Sequence, residues 1–176
     1  MGGNGLQPKV VIESEKFKEH QRAHRGIARS FINYPSPGQD NVAQVITALQ
    51  EDLFGLIQRL LEQLQNVKMN IKVECLMARY IFQSDGTVDE ETHAAYFYND
   101  VPKELFDSTR IETAVLQCKD EITLKIVEFT QRGSGFRVKQ VNSVEVKIFE
   151  LRRFKNIKGN GYTPMPKPKR LHEKLK

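Results

Sequence analysis

Only two cysteines, Cys75 and Cys118, occur in 176 residues, too few for a disulfide framework or a thiolate metal cage. Both fall within apolar periodic patterns, which reads as buried, reduced thiols of a cytosolic or nuclear protein. No run approaches the roughly 20 apolar residues that cross a bilayer, and no basic-then-apolar leader opens the chain, so neither membrane insertion nor secretion is indicated. Met1-Gly2-Gly3-Asn4-Gly5-Leu6 begins like a myristoylation signal, but Leu6 stands where Ser or Thr is needed.

Converging catalytic groups are scarce as well. A two-metal centre needs paired carboxylates, and a replication-type nuclease needs two histidines and a tyrosine. The strand-like segments offer Glu74 and Asp100 singly, and His93 stands alone in acidic surroundings. Gly133-Ser134-Gly135 follows a helical pattern instead of opening one, so it is not a phosphate loop. His20 and His24 share helical spacing without a third ligand nearby. The acidic stretch from Asp85 to Glu91 lacks the alternating oxygens and sixth-position glycine of a calcium loop. The sequence therefore assigns no catalytic residue, no metal site, no cofactor and no small-molecule substrate, and the chain reads as a non-enzyme.

What is present is an ordinary globular composition, 39% hydrophobic and 28% charged, with its charge unevenly spread. Residues 137–176 carry 12 Lys/Arg against 3 Asp/Glu, a balance of +9, and residues 1–29 a balance of +3. Residues 30–136 hold −7. An acidic body with basic ends meets any polyanion at its ends and not at its body.

Residues 1–27 have almost no apolar face and read as a flexible basic arm. Ser30-Phe31-Ile32-Asn33-Tyr34, stopped by Pro35-Ser36-Pro37-Gly38, suggests a short strand leading into a turn. From Asp40, taken as an N-cap, Val42, Val45, Ile46, Leu49, Leu53, Ile57, Leu60 and Leu64 repeat at three-and-four spacing, which predicts a long helix. Met69, Ile71, Val73, Cys75 and Met77 then alternate with polar residues, as in a half-buried strand continuing to Phe82. The acidic segment Asp85–His93 reads as an exposed hairpin loop, with a return strand over Ala94–Tyr98.

Thr109-Arg110-Ile111-Glu112 has capping-box spacing, and Ile111, Val115, Cys118, Ile122 and Phe129 make the stripe of a second helix closed at Gly133. Val144, Val146 and Ile148 alternate with Ser143, Glu145 and Lys147 in a last strand. The order strand, helix, strand, strand, helix, strand predicts an α+β fold of the ferredoxin-like split βαβ kind, an antiparallel sheet with two long helices on one face. The domain is expected over residues 28–154, with residues 155–176 as a basic proline-containing tail.

The corner Gly133-Ser134-Gly135-Phe136, the alternating strand after it and the box Gly159-Asn160-Gly161-Tyr162-Thr163-Pro164-Met165-Pro166-Lys167 resemble a domain of animal Maverick/Polinton-like mobile-element proteins. There the domain lies upstream of type B DNA polymerase or nuclease-like regions. The resemblance covers about residues 28–170, with its specific motifs at 129–170, and Phe136 stands where Trp is commoner. It implies a genomic setting and does not imply polymerase activity.

Two functions follow as expectations. The first is a non-catalytic nucleic-acid-associated module, nuclear or cytoplasmic, binding DNA or RNA through Arg152, Arg153, Lys155, Lys158, Tyr162, Lys167, Lys169 and Arg170, with Tyr96 and Tyr98 available to stack on bases. The second is an assembly or adaptor domain that forms homo-oligomers through the long helix or an exposed sheet.

Overall fold

A computed structural model describes residues 14–151. Six strands and two helices occur in the order β1 (Lys18–Ala23), β2 (Ala28–Asn33), α1 (Val42–Leu64), β3 (Val67–Phe82), β4 (Val88–Tyr98), β5 (Lys103–Leu105), α2 (Ile111–Gln131) and β6 (Arg137–Glu150). Every pairing is antiparallel and the strand order is β1-β2-β6-β3-β4, with β5 beside β3 beyond the end of β4.

The expected class, α+β with an antiparallel sheet and two long helices, is what the chain forms. Its order is not that of a ferredoxin-like sheet, in which the first and third of four strands are central. Here β6 and β3, the last and the second of the four expected strands, lie at the centre. In this order β6 lies between β2 and β3, and β3 lies between β4 and β6.

Helix α1 forms where the apolar stripe predicts it, with its start one residue later than Asp40. Asn41 is the N-cap, its side-chain oxygen accepting the Gln44 N–H at 3.1 Å. Val45, Ile46, Leu49, Leu53, Leu56, Ile57 and Leu60 are buried under the sheet, and no large hydrophobic residue of this helix is exposed. The helix ends abruptly. Gln65 takes φ +66 in a γ-turn closed by the Asn66 N–H on the Leu64 carbonyl at 2.8 Å, and β3 starts two residues later.

In β3, Val67, Met69, Ile71, Val73, Cys75 and Met77 face the helices and are fully buried. Opposite them, Ile148, Val146, Val144 and Val141 complete the inner face from β6. Helix α2 adds Ile111, Val115, Cys118 and Ile122 to the same core, with Phe129 half-buried against it.

Three local expectations change. The Thr109–Glu112 capping box does not form. Asp107 instead accepts the Thr109 N–H at 2.9 Å and the Thr109 hydroxyl, closing a turn that leads into the helix. The acidic segment read as a loop over Asp85–His93 is strand from Val88 onward, and the turn is confined to the residues around Asp85 and Gly86. Gly86 at φ +85 supplies the left-handed residue, with Gly86 N–H on the Gln83 carbonyl and Gln83 N–H on the Thr87 carbonyl. Residues 18–23, inside the segment read as a solvated arm, form edge strand β1 with all six residues exposed. Phe17, just before it, is buried in the core, and Asn33 Nδ2 donates to the Lys16 carbonyl at 2.7 Å.

Between β4 and β5 the chain leaves the sheet edge, and one side chain fills the gap. Fully buried Asn99 accepts the Ile71 N–H through Oδ1 at 2.8 Å and donates through Nδ2 to Asn70 Oδ1 at 3.0 Å and the Val101 carbonyl at 2.9 Å. Replacing it by an apolar residue strands a buried backbone N–H. Asn99→Leu should cost about 1–3 kcal/mol in chemical denaturation, and Asn99→Asp, which turns a carboxylate oxygen towards the Asn70 and Val101 oxygens and buries a charge, should cost at least as much near neutral pH.

Candidate nucleic-acid interface

The helices cover one face of the sheet and leave the other without a layer among the described residues. Alternation places Tyr96 opposite Glu74 and Tyr98 opposite Lys72 on this helix-free face, with Tyr80 farther along β3 opposite Glu90. Tyr96 is 55% exposed, and Tyr80 and Tyr98 are both 49% exposed. The two tyrosines expected to stack are therefore brought to one surface, and a third joins them.

Each ring carries a cation. Lys72 Nζ lies 5.3 Å from the Tyr96 centroid, Arg137 Cζ 4.7 Å from that of Tyr80 and Lys125 Nζ 4.9 Å from that of Tyr98. These cations arrive from three elements: Lys72 from β3, Arg137 from the start of β6, and Lys125 from α2, reaching around the sheet edge. Lys125 also donates to the Tyr98 carbonyl at 2.6 Å and pairs with Asp100.

The face is not a simple basic patch. Lys72 pairs with Glu145 at 2.9 Å, and Lys139 with Glu90. Burial pushes the Glu145 carboxyl up, but the hydrogen bond and charge of Lys72 outweigh it and hold the group below the ordinary carboxylate range. Glu74, facing Tyr96, adds a further negative charge. Stacking surface is thus better developed here than net positive charge.

Arg152, Arg153, Lys155, Lys158, Tyr162, Lys167, Lys169 and Arg170 lie outside the described residues. The strand that leads to them ends where Leu151 N–H donates to the Asn66 carbonyl at 3.0 Å, at the end of the sheet remote from the β3–β4 turn.

Among the described residues no three His, Cys, Asp or Glu side chains converge on a metal position. His93 packs edge-on against Phe136 at 4.4 Å between centroids and against Phe129 at 6.3 Å. Burial pushes both Cys75 and Cys118 up to about 12, so neither supplies a reactive thiolate near neutral pH. No described helix is long and apolar enough to cross a membrane.

A second charged cluster lies at the opposite edge. Glu19 accepts Arg22 Nε at 2.6 Å and Arg29 Nη2 at 3.0 Å, and buried Arg29 stacks on Phe31 at 5.3 Å. The Arg22 hydrogen bond, aided by Arg29, outweighs partial burial and holds Glu19 at about 2, against an ordinary value of 4.5. Its native proton affinity is thus lower than in the unfolded chain. The stabilisation is complete above about pH 5 and is lost as pH falls towards 2. Urea denaturation of Glu19→Gln should show a loss of about 1 kcal/mol at pH 7, the shift being discounted for solvent screening at this exposed strand, that shrinks to near zero by about pH 2. The sequence matches no protein-family model and no curated protein.

Proposed function

We propose that the domain is a non-catalytic, nucleic-acid-associated module that stacks unpaired bases on its helix-free sheet face. The observation that carries this reading is the set of exposed tyrosines, Tyr80, Tyr96 and Tyr98, each with a Lys or Arg against its ring. Every base presents a π-face, so a row of rings with cations holds single strands with little sequence preference. The paired carboxylates limit the electrostatic share of this surface. A sequence-independent phosphate contribution then falls to the basic segment after β6, Arg152 to Arg170. The Gly133-Ser134-Gly135-Phe136 corner and the Gly159–Lys167 box support a mobile-element or virus-derived setting, through their resemblance to Maverick/Polinton-like proteins, and a nuclear place of action fits that setting.

Fluorescence anisotropy with labelled single- and double-stranded DNA and RNA tests the assignment. Single strands should bind more tightly than duplexes. Tyr96→Ala should weaken single-strand binding by about 1–2 kcal/mol with the salt dependence unchanged. Removing residues 152–176 should instead flatten the dependence of log K on log salt. No binding by the full chain to any of the four at low salt, or binding that ignores all three tyrosines, overturns the stacking role.

A further inference from the structure

We infer that two copies of this chain associate through the outer edge of β4, joining their sheets antiparallel about a two-fold axis at His93. Three observations converge on this edge.

The first is its main chain. The Gln83 N–H bond to the Thr87 carbonyl, 2.8 Å, sets the phase of the β3–β4 ladder. Val88, Glu90, Thr92, Ala94, Tyr96 and Tyr98 therefore turn their backbone groups away from β3. Lys125 on the outward Tyr98 carbonyl agrees with that phase. The pairing runs from Phe82↔Val88 to Lys72↔Tyr98 without a register shift. By contrast, the opposite sheet edge, β1, is six residues long and is broken by a shift between Glu19 and Gln21. Folded proteins blunt free edges with short strands, bulges or charge; β4 has only charge, the acids of its first half and the single Lys125 on the Tyr98 carbonyl at its end, which leaves that oxygen a second lone pair.

The second is apolar surface. Of the twelve exposed large hydrophobic residues among those described, eight lie on the β3–β4 hairpin or on the chain continuing its edge. Phe82 is 79% exposed and Val101 66%, with Val88, Tyr96, Tyr98 and Phe106 between about half and that. Helix α1, the other expected association surface, has none. Concentration of this kind marks an interaction site rather than scatter.

The third is the charge order along β4, which selects the partner. Asp89, Glu90 and Glu91 occupy the beginning, and Tyr96, Phe97 and Tyr98 the end. A parallel copy would set acid against acid. The antiparallel copy in full overlap sets Val88 against Tyr98, Glu90 against Tyr96 and Thr92 against Ala94 of the second copy, with each acidic half beside an aromatic half. Edge addition then supplies main-chain hydrogen bonds and sets the two hairpins' apolar residues side by side, with the ring faces of Tyr80, Tyr96 and Tyr98 left open. The helix-free faces of both copies become one continuous surface.

The test is the mass of the full chain by light-scattering chromatography and sedimentation equilibrium over about 5–200 µM, a span that brackets a micromolar dissociation constant. A dimer is expected. Ala94→Pro removes one outward N–H without touching the β3 ladder and leaves a residue type that edge strands accept, so it should weaken self-association at least tenfold with the circular dichroism spectrum retained. His93→Cys gives an independent readout. The axis makes His93 its own partner in a non-hydrogen-bonded pair, with Cα atoms about 4.5 Å apart, within disulfide reach. Oxidation should cross-link His93→Cys into a covalent dimer and leave Asp85→Cys monomeric, with buried Cys75 and Cys118 as a silent background. A wild type monomeric throughout, an Ala94→Pro variant that dimerises as well as wild type, or cross-linking through residue 85 and not 93 each overturns the inference. A monomer that still binds oligonucleotide leaves the stacking role standing and frees the edge for a different strand.

Discussion

The pairing of β3 with β6 is the constraint on which the rest of the structure depends. Its register runs from Val67↔Glu150 to Ala78↔Arg137, and its inner face supplies most of the apolar surface on which the two helices rest. Neither helix has another place to bury its stripe. Because, among the described residues, β6 alone joins β2 to the rest of the sheet, the β1–β2 hairpin stays separate until β6 is in place. The local β3–β4 hairpin can form early, whereas the sheet closes through contacts separated by more than a hundred residues. Loop-closure entropy makes that second event slow relative to the first.

How much of this was legible depended on whether an element faces the core. Helix α1 and strands β3 and β6 have one dry face each, so their apolar periods of 3.6 and 2 are written directly in Val45, Ile46, Leu49 or in Val144, Val146, Ile148. Strand β1 has no dry face. All six of its residues are exposed, so nothing in Lys18-Glu19-His20-Gln21-Arg22-Ala23 alternates. It is a strand because β2 lies beside it and because Glu19 bridges Arg22 and Arg29. The same holds for Val88–His93, whose acids suggested a loop. There Arg79, Lys139 and Gln83 each answer one acid, Glu91, Glu90 and Asp89, and the strand tolerates its charge. Cross-strand partners are invisible to a local window. Strand order is non-local in the same way: an identical succession of elements is compatible with either central pair.

The surface assigned to nucleic acid was half legible for the same reason. Tyr96 and Tyr98 announce themselves by two-residue spacing, which requires only that the segment be a strand. Their cations do not, because Lys72, Lys125 and Arg137 come from three separated elements. Tyr80 was missed because its ring gains meaning only when Arg137 is brought beside it at the mouth of β6. The signal that would have found it is the continuation of β3 past its buried part, where Tyr80 and Phe82 keep the alternation of Lys72, Glu74 and Leu76 on the wet face.

The pairing of charges on that face decides how a polyanion would meet it. Lys72 and Lys139 already hold Glu145 and Glu90, so a phosphate gains their attraction only by breaking an existing ion pair or by accepting the carboxylate as a neighbour. At exposed positions such a pair is worth little, roughly 0–1 kcal/mol, so the obstacle at Lys139 is small. At Glu145 it is larger: this carboxylate is buried and kept ionised chiefly by Lys72, and removing that partner leaves an unpaired buried charge. Lys72 is therefore better placed to hold the Tyr96 ring and Glu145 together than to leave for a phosphate. On the proposed reading, recognition at this face rests on ring surface, and long-range attraction is left to the basic residues that follow β6. Affinity and encounter rate are then divided, on that reading, between separate parts of one chain.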